Sequence, residues 1–209
     1  ECPSVLDAAP VISGTCQLVY GNQNWSTGVL GTTPNMLNVR DWPLAYGKTF
    51  RDQDVRSSAK VCLLGKTVID NLFGSLDPVG KIIRIKKVPF TVIGVLEPKG
   101  QSLMGQDNDD SVYVPVSTAQ KKLFGTLFPG MIRLIMVKAK SLPSLASAER
   151  EVNELIRQRH RIGEKQDDDF SVRNLTQMFQ IAENAMKVLS LLLGSIASVS
   201  LLVGGIGIM

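Results

Sequence analysis

The last 22 residues, 188–209, read VLSLLLGSIASVSLLVGGIGIM and contain no charged side chain. At a helical rise of about 1.5 Å per residue they reach ~33 Å, close to the ~30 Å hydrocarbon thickness of a bilayer. No second segment of comparable length and hydrophobicity is present to bury such a helix in a protein core. A transmembrane helix is therefore expected over 188–209, and the position of the stretch excludes a signal peptide. Gly194 and Ser198, then Ser200 and Gly204, stand four apart. That spacing lets a second helix backbone approach closely, which makes Gly194, Ser198 and Gly204 candidate packing positions in the membrane.

Upstream, Leu175, Met178, Phe179, Ala182, Ala185, Met186 and Leu189 recur at offsets of three and four. The spacing predicts an amphipathic helix over 175–187. Asn174 is placed to cap it, with Gln177 three residues later as a capping box requires, and no proline follows before Met209. One continuous rod is expected to run from a folded body into the bilayer. Ordinary core packing accounts for the Met and Phe stripe, since a cofactor site would need polar partners.

A chain of 209 residues, 44% hydrophobic and 20% charged, is large enough for one or two small domains with real cores. It starts at Glu1 and stops within the apolar stretch, and so reads as a segment of a longer polypeptide. The formal charge of +4 is modest and its basic residues are spread out, which argues against nucleic acid as a partner. Near the apolar stretch the basic residues are Arg173 and Lys187, so the positive-inside tendency favours a body outside the cytoplasm. Cys2, Cys16 and Cys62 cannot all pair and lack zinc-ligand spacing. Cys2 and Cys16 could bridge in an oxidising compartment, with free half-buried thiols as the default.

Along the chain, residues 11–20 alternate as a strand with Ile12, Gly14, Cys16, Leu18 and Tyr20 on one face, and 25–32 return as its hairpin partner across the turn formers 21–24. Thr33-Pro34 opens a short helix to about Val39, and 44–58 read as irregular. Strands are expected at 61–64, 81–86, 90–96 and 111–116, with the turn Lys87-Val88-Pro89 between the second and third. Short helices are expected at 66–72 and 118–124. The nearly all-apolar run 132–137 reads as a central strand covered on both faces. Ser141 and Pro143 begin a helix through about Ile162, with Leu145, Ala148, Val152, Leu155 and Ile156 on its buried stripe and Gly163 ending it. Residues 170–173 are expected to be a strand that completes a β-α-β unit of the ferredoxin-like kind. The fold class is α+β: a discontinuous porter-like β-α-β layer from 1–50 and 128–174, an inserted β-rich subdomain at 51–127, a stalk helix at 175–187 and the membrane helix.

Sites with recognisable chemistry are few. Gly47-Lys48-Thr49 and Gly65-Lys66-Thr67 resemble the end of a phosphate-binding loop, but Trp42 and Lys60 stand where that loop needs another glycine. Asp107, Asp109 and Asp110 suggest calcium, yet Val112 and Thr118 occupy the positions where a calcium loop has its glycine and last acid. A solvated loop is the simpler reading, and the same holds for Asp167, Asp168 and Asp169. His160, the single histidine, stands among Arg157, Arg159 and Arg161 at a helix end, where charge complementing the helix dipole is sufficient reason. No catalytic, cofactor or metal residues are assigned.

Read in order, Val61-Cys62-Leu63-Leu64-Gly65, Leu72-Phe73-Gly74-Ser75-Leu76-Asp77-Pro78-Val79-Gly80 and Pro89-Phe90-Thr91-Val92-Ile93-Gly94-Val95-Leu96 form a long pattern. It resembles the core domain of macrolide-exporter-type (MacB-like) ABC permeases, within the FtsX-like permease superfamily. Gly31-Thr32-Thr33-Pro34 and Gly47-Lys48-Thr49-Phe50 precede it. Val112-Tyr113-Val114-Pro115, Arg159-His160-Arg161 and Asp168-Asp169-Phe170 follow, and the final Leu201-Leu202-Val203-Gly204-Gly205-Ile206-Gly207-Ile208-Met209 is similar to the start of that family's second membrane helix.

The resemblance implies a segment between the first and second membrane helices, with residues 1–187 mainly periplasmic in a bacterial inner-membrane protein. It implies a homodimeric permease whose ATP and magnesium are bound by an ATPase domain or subunit outside this segment. The partners it implies are a periplasmic adaptor, a TolC-like outer-membrane channel and membrane lipid, with no nucleic acid. The expected role is a mechanical coupler for efflux of macrolides, other antimicrobials or peptides, with no enzymatic activity of its own, in which Leu175, Met178, Phe179, Ala182 and Met186 form the transmission stripe. Lipoprotein release or regulation of cell-wall hydrolases is the alternative within the same fold.

Overall fold

The computed structural model describes residues 2–206 apart from 103–104, 126–130 and 164, with the side chains of 176–183 and 199–206 outside the description. Two compact units are present, Val5–Lys140 and a second one made from Glu1–Ser4 with Ser141–Met209.

In the first unit, β1 (Val5–Tyr20) and β2 (Gln23–Thr32) form an antiparallel hairpin from Ile12↔Gly31 to Tyr20↔Gln23. The two-residue loop puts Gly21 at φ +55°, the position at which a two-residue hairpin commonly requires glycine. The remaining strands are β3 (Leu44–Gly47), β4 (Val61–Leu64), β5 (Ile82–Ile85), β6 (Val88–Leu96), β7 (Ser111–Pro115) and β8 (Leu134–Ala139). Pairing runs β2-β7-β4-β6-β5-β1, and β1 pairs β2 again, so six strands close into a ring. Closure removes free edges from that circuit. Outside it, β3 pairs β6, and β8 pairs the first half of β1 from Val5↔Ala139 to Val11↔Leu134.

Alternation along these strands builds two cores on opposite faces. Cys62 and Leu64 of β4, with Val112 and Val114 of β7, enter one cluster with Leu18, Val29, Ile83, Ile85, Phe90 and Val92. Leu63 and Tyr113, the residues between, enter the other with Met36, Trp42, Phe50 and Leu96. β1 serves both, burying Ala9 and Val11 in the second cluster and Cys16 and Leu18 in the first. A register shift in the β4–β6 pairing, Cys62↔Val92 and then Leu63↔Gly94, resets the phase of β6 so that Val95 again faces the first cluster.

Helices α1 (Met36–Val39), α2 (Asp52–Ser57), α3 (Lys66–Leu72) and α4 (Val116–Thr118) are short, and α4 passes into a π-helical segment, Ala119–Phe124. α3 contributes Val68, Ile69 and Leu72 to the ring's cluster. The second unit has a 3₁₀ turn at Leu142–Ser144 and two long helices, α5 (Leu145–His160) and α6 (Leu175–Ile206).

Several expectations are corrected. Residues 44–58 are not wholly irregular, since they contain β3 and α2. The β5–β6 turn is Lys86-Lys87, both left-handed at φ +51° and +71°, and Val88 and Pro89 already belong to β6. Because Ile85↔Val88 closes the hairpin, Arg84↔Pro89 is a pair without cross-strand hydrogen bonds, where proline's missing N–H does no harm. Residues 132–137 are not a central strand: among the described residues β8 pairs β1 alone, and Leu134 and Ile135 are about half exposed. A short apolar run does not itself say what covers it. α5 ends at Arg161 in the left-handed conformation, φ +59°, two residues before Gly163. Residues 170–173 form no strand, so the expected β-α-β unit lacks its closing member.

Candidate functional site

The backbone of α6 is helical without interruption from Leu175, one residue after the predicted cap, to Ile206. At about 1.5 Å per residue its 32 residues reach ~48 Å. Helical geometry places Leu175, Met178, Phe179, Ala182 and Met186 on one face, as the spacing predicts. Leu175 is 60% and Met186 67% exposed. The side chains of Met178, Phe179 and Ala182 lie outside the described residues. Gly194 has nothing within 4 Å of the place a Cβ would occupy, and one turn later Ser198 donates its hydroxyl to the Gly194 carbonyl at 2.7 Å. Gly204 lies on the helical backbone; its surroundings are outside the described residues.

Val188, Leu189, Leu191, Leu192, Leu193 and Ile196 are all exposed. Among the described residues no helix is long and apolar enough to cross a membrane, so the span expected over 188–209 is not borne out. The described side chains of this helix from residue 184 onward end at Ser198, fewer than the roughly 20 residues a span needs.

The loop that feeds α6 is tied back to α5. Arg157 pairs with the Asp168 carboxylate and donates to the Gly163 carbonyl at 2.7 Å. His160 Nδ1 lies 2.8 and 3.0 Å from the two Asp169 carboxylate oxygens, with the Phe170 ring edge-on to the imidazole. At the other end of the helix, Glu151 accepts from the Ser4 backbone N–H and hydroxyl at 2.9 and 2.6 Å. The basic end of α5 thus does more than complement a dipole, because its side chains fasten the acidic run that follows.

Within Val5–Lys140 a polar cluster surrounds Trp42, which is 1% exposed and donates its indole N–H to the Glu97 carbonyl at 2.6 Å. Arg40 and Lys99 lie 4.9 and 5.3 Å from its ring, and Tyr113 meets it edge-on at 5.8 Å. Arg40 donates to the Tyr113 hydroxyl at 2.7 Å and Lys99 to the Arg40 carbonyl at 2.6 Å. Desolvation, reinforced by Arg40, pulls the Lys99 ammonium below its ordinary range, and burial raises the Tyr113 phenol. Nothing in the sequence pointed to this cluster, because Lys99 is 57 residues from Trp42 and joins it through the fold.

The phosphate-loop look-alikes are packing devices. A Cβ on Gly65 would overlap the Asp109 carbonyl, and one on Gly47, which sits at φ +91°, would overlap Ile93 and Gly94 backbone. Neither stretch has the open backbone that cradles a phosphate. The acidic loop is likewise structural: the Asp109 carboxylate accepts from the Lys99 and Gly100 N–H groups at 2.8 Å, Asp107 from the Thr67 hydroxyl at 2.6 Å, and Asp110 from the Trp25 indole at 2.8 Å. Cys2, Cys16 and Cys62 are all free. Burial raises the pKa of the Cys16 and Cys62 thiols above the ordinary thiol value and favours the neutral form.

Residues 1–155 match the family model of the MacB-like periplasmic core domain. The chain is 35% identical over its whole length to the macrolide export ATP-binding/permease protein MacB of Syntrophobacter fumaroxidans, of which it covers 36%. It is 37% identical over 99% of its length to the pyoverdine export ATP-binding/permease protein PvdT of Pseudomonas aeruginosa, covering 30% of that protein. The chain thus spans about a third of the length of these relatives. The periplasmic region of MacB from Actinobacillus actinomycetemcomitans superposes with a TM-score of 0.70 at 26% identity, over 88% of this chain and 78% of that one. A mixed α+β fold shared with that region and a family match over most of the sequence agree: the chain belongs to the MacB-like periplasmic core domain family.

Proposed function

We propose that this chain is the periplasmic portion of an inner-membrane ABC exporter and transmits the work of a cytoplasmic ATPase mechanically, without catalysing a reaction itself. The observation that carries the reading is α6, an unbroken 32-residue helix whose described apolar side chains are exposed. Unsupported by protein, such a surface calls for a second helix or lipid, so α6 enters the membrane as part of the second span. Movement at its membrane end is delivered through Leu175, Met178, Phe179, Ala182 and Met186, while Gly194, Ser198 and Gly204 set its packing there. The domain subdivides as a porter-like layer from 1–50 and 128–174 around the insert 51–127, and it works in a homodimer. The cargo belongs to the small-molecule class named for the relatives, macrolide or pyoverdine, and leaves through a periplasmic adaptor and a TolC-like channel.

Coupling of this kind requires a stiff element with two discrete arrangements. Inserting Gly-Gly after Ala185 in the full-length exporter weakens the helix by about 1 kcal/mol per glycine and rotates everything beyond it by ~200°. Export is expected to be lost at normal membrane levels of the protein. Unimpaired export in this variant would overturn the rigid-rod mechanism.

A further inference from the structure

The acidic residues of this chain are distributed unevenly. None occurs between Asp7 and Asp41, between Asp77 and Glu97, or between Asp110 and Glu149. The fold brings these acid-free segments together: Val19 of β1 lies opposite Arg84 of β5, the Lys86 N–H donates to the Gln17 carbonyl, and the Lys86 ammonium donates to the Leu123 carbonyl at 2.9 Å. The β5–β6 tip therefore gathers Arg84, Lys86 and Lys87, all exposed, beside the helical segment that carries Lys122. The ion pairs of the described residues all lie elsewhere.

The backbone at this tip is a second, independent observation. A two-residue turn with φ positive at both positions is ordinarily Asn-Gly, which adopts it with little strain. Here both positions are lysine, at φ +51° and +71°. Strain of that kind persists where the residues do something the relaxed sequence would not. What lysines add is two ammonium groups, one of them held in place by the Leu123 carbonyl with the Phe124 ring 5.7 Å away.

We propose that the Lys86-Lys87 tip, with Arg84 and Lys122, is a docking point for an acidic segment of a protein partner. A charge held in place, as that of Lys86 is, suits a partner of defined shape. A membrane surface would instead call for apolar side chains projecting beside the charges, and the exposed large one on β5 is Ile82 alone. The inference does not depend on the export reading, since the test measures binding directly.

The full-length protein in detergent is titrated with a fluorescein-labelled deca-glutamate peptide by anisotropy over a range of salt concentrations, alongside flotation with phosphatidylglycerol vesicles. Replacing the turn by Asn-Gly (Lys86→Asn with Lys87→Gly) is expected to raise the melting temperature while weakening peptide binding about tenfold and flattening its salt dependence. A variant that is more stable yet binds less cannot be dismissed as misfolded. Lys122→Gln is expected to weaken binding by a smaller factor. Equal affinity of the wild type and the Asn-Gly variant for the peptide would overturn the proposal, as would binding to the vesicles but not to the peptide.

Discussion

In the ring of Val5–Lys140, Leu18, Val29, Cys62, Ile83, Val92 and Val112 come from six different strands and are almost wholly shielded from water. In the unit containing Ser141–Met209, Ala148 is the single buried hydrophobic among the described residues, and Leu175, Leu189, Leu191, Leu192 and Leu193 of α6 are exposed. The ring is held by non-local burial that fixes register. Among its described residues the helical unit is held by backbone hydrogen bonds, the Ser4–Glu151 hydrogen bonds and two ion pairs at the α5 end. A region with so few buried apolar side chains belongs to the less stable end of a structure.

The difference makes unequal penalties for mutation. Trp42→Ala removes a buried ring, its hydrogen bond to Glu97 and the seat of Arg40 and Lys99. It should destabilise Val5–Lys140 by about 3–5 kcal/mol, read as a lower denaturation midpoint; a loss under about 1 kcal/mol would show the second cluster to be dispensable. His160→Ala, which severs the Asp169 contact between two half-exposed groups, should shift stability by less than about 1 kcal/mol. If instead the two variants proved equally damaging, the contrast between the units would fail.

The smallest effect concerns acid. The Lys138 ammonium hydrogen-bonds the Asp41 carboxylate and holds it below its usual range. A depressed folded value means that the contribution is present above the pKa of the unfolded chain and disappears as pH falls through the folded one. Lys138→Gln should therefore leave the melting temperature nearly unchanged at the acid end and lower it slightly at neutral pH. The reverse pattern would place the Asp41 contact outside the stability of this unit.

Much of the ring was legible in the sequence. β4 and α3 begin and end where the pattern put them, at Val61–Leu64 and Lys66–Leu72, because an apolar run and a helix start adjoin there at Gly65. The β1–β2 hairpin was visible from its turn residues. β3 was not, because Leu44–Gly47 is a four-residue edge strand with mostly exposed side chains. Nor was α2, whose polar DQDVRS sequence is started by Asp54 accepting the Arg51 N–H at 2.7 Å, a cap formed by an acid three residues in and not by the usual Ser or Thr. The ring itself could not be read, since closure depends on which strands meet, and β2 with β7 is a parallel pairing across almost 80 residues of sequence. The helix α6 was readable as a period, whereas the Trp42 cluster and the lysine tip exist through folding alone.

β1 is paired along nearly its whole length, first with β8 and then with β2. Tension applied at Val5 runs along the strand axis, while the hydrogen bonds from Ile12 to Tyr20 lie across it. Such a pull must shear those bonds together, not peel them one by one. Strand β1 is thus anchored along most of its length, and a pull on its first residue is resisted by many hydrogen bonds at once.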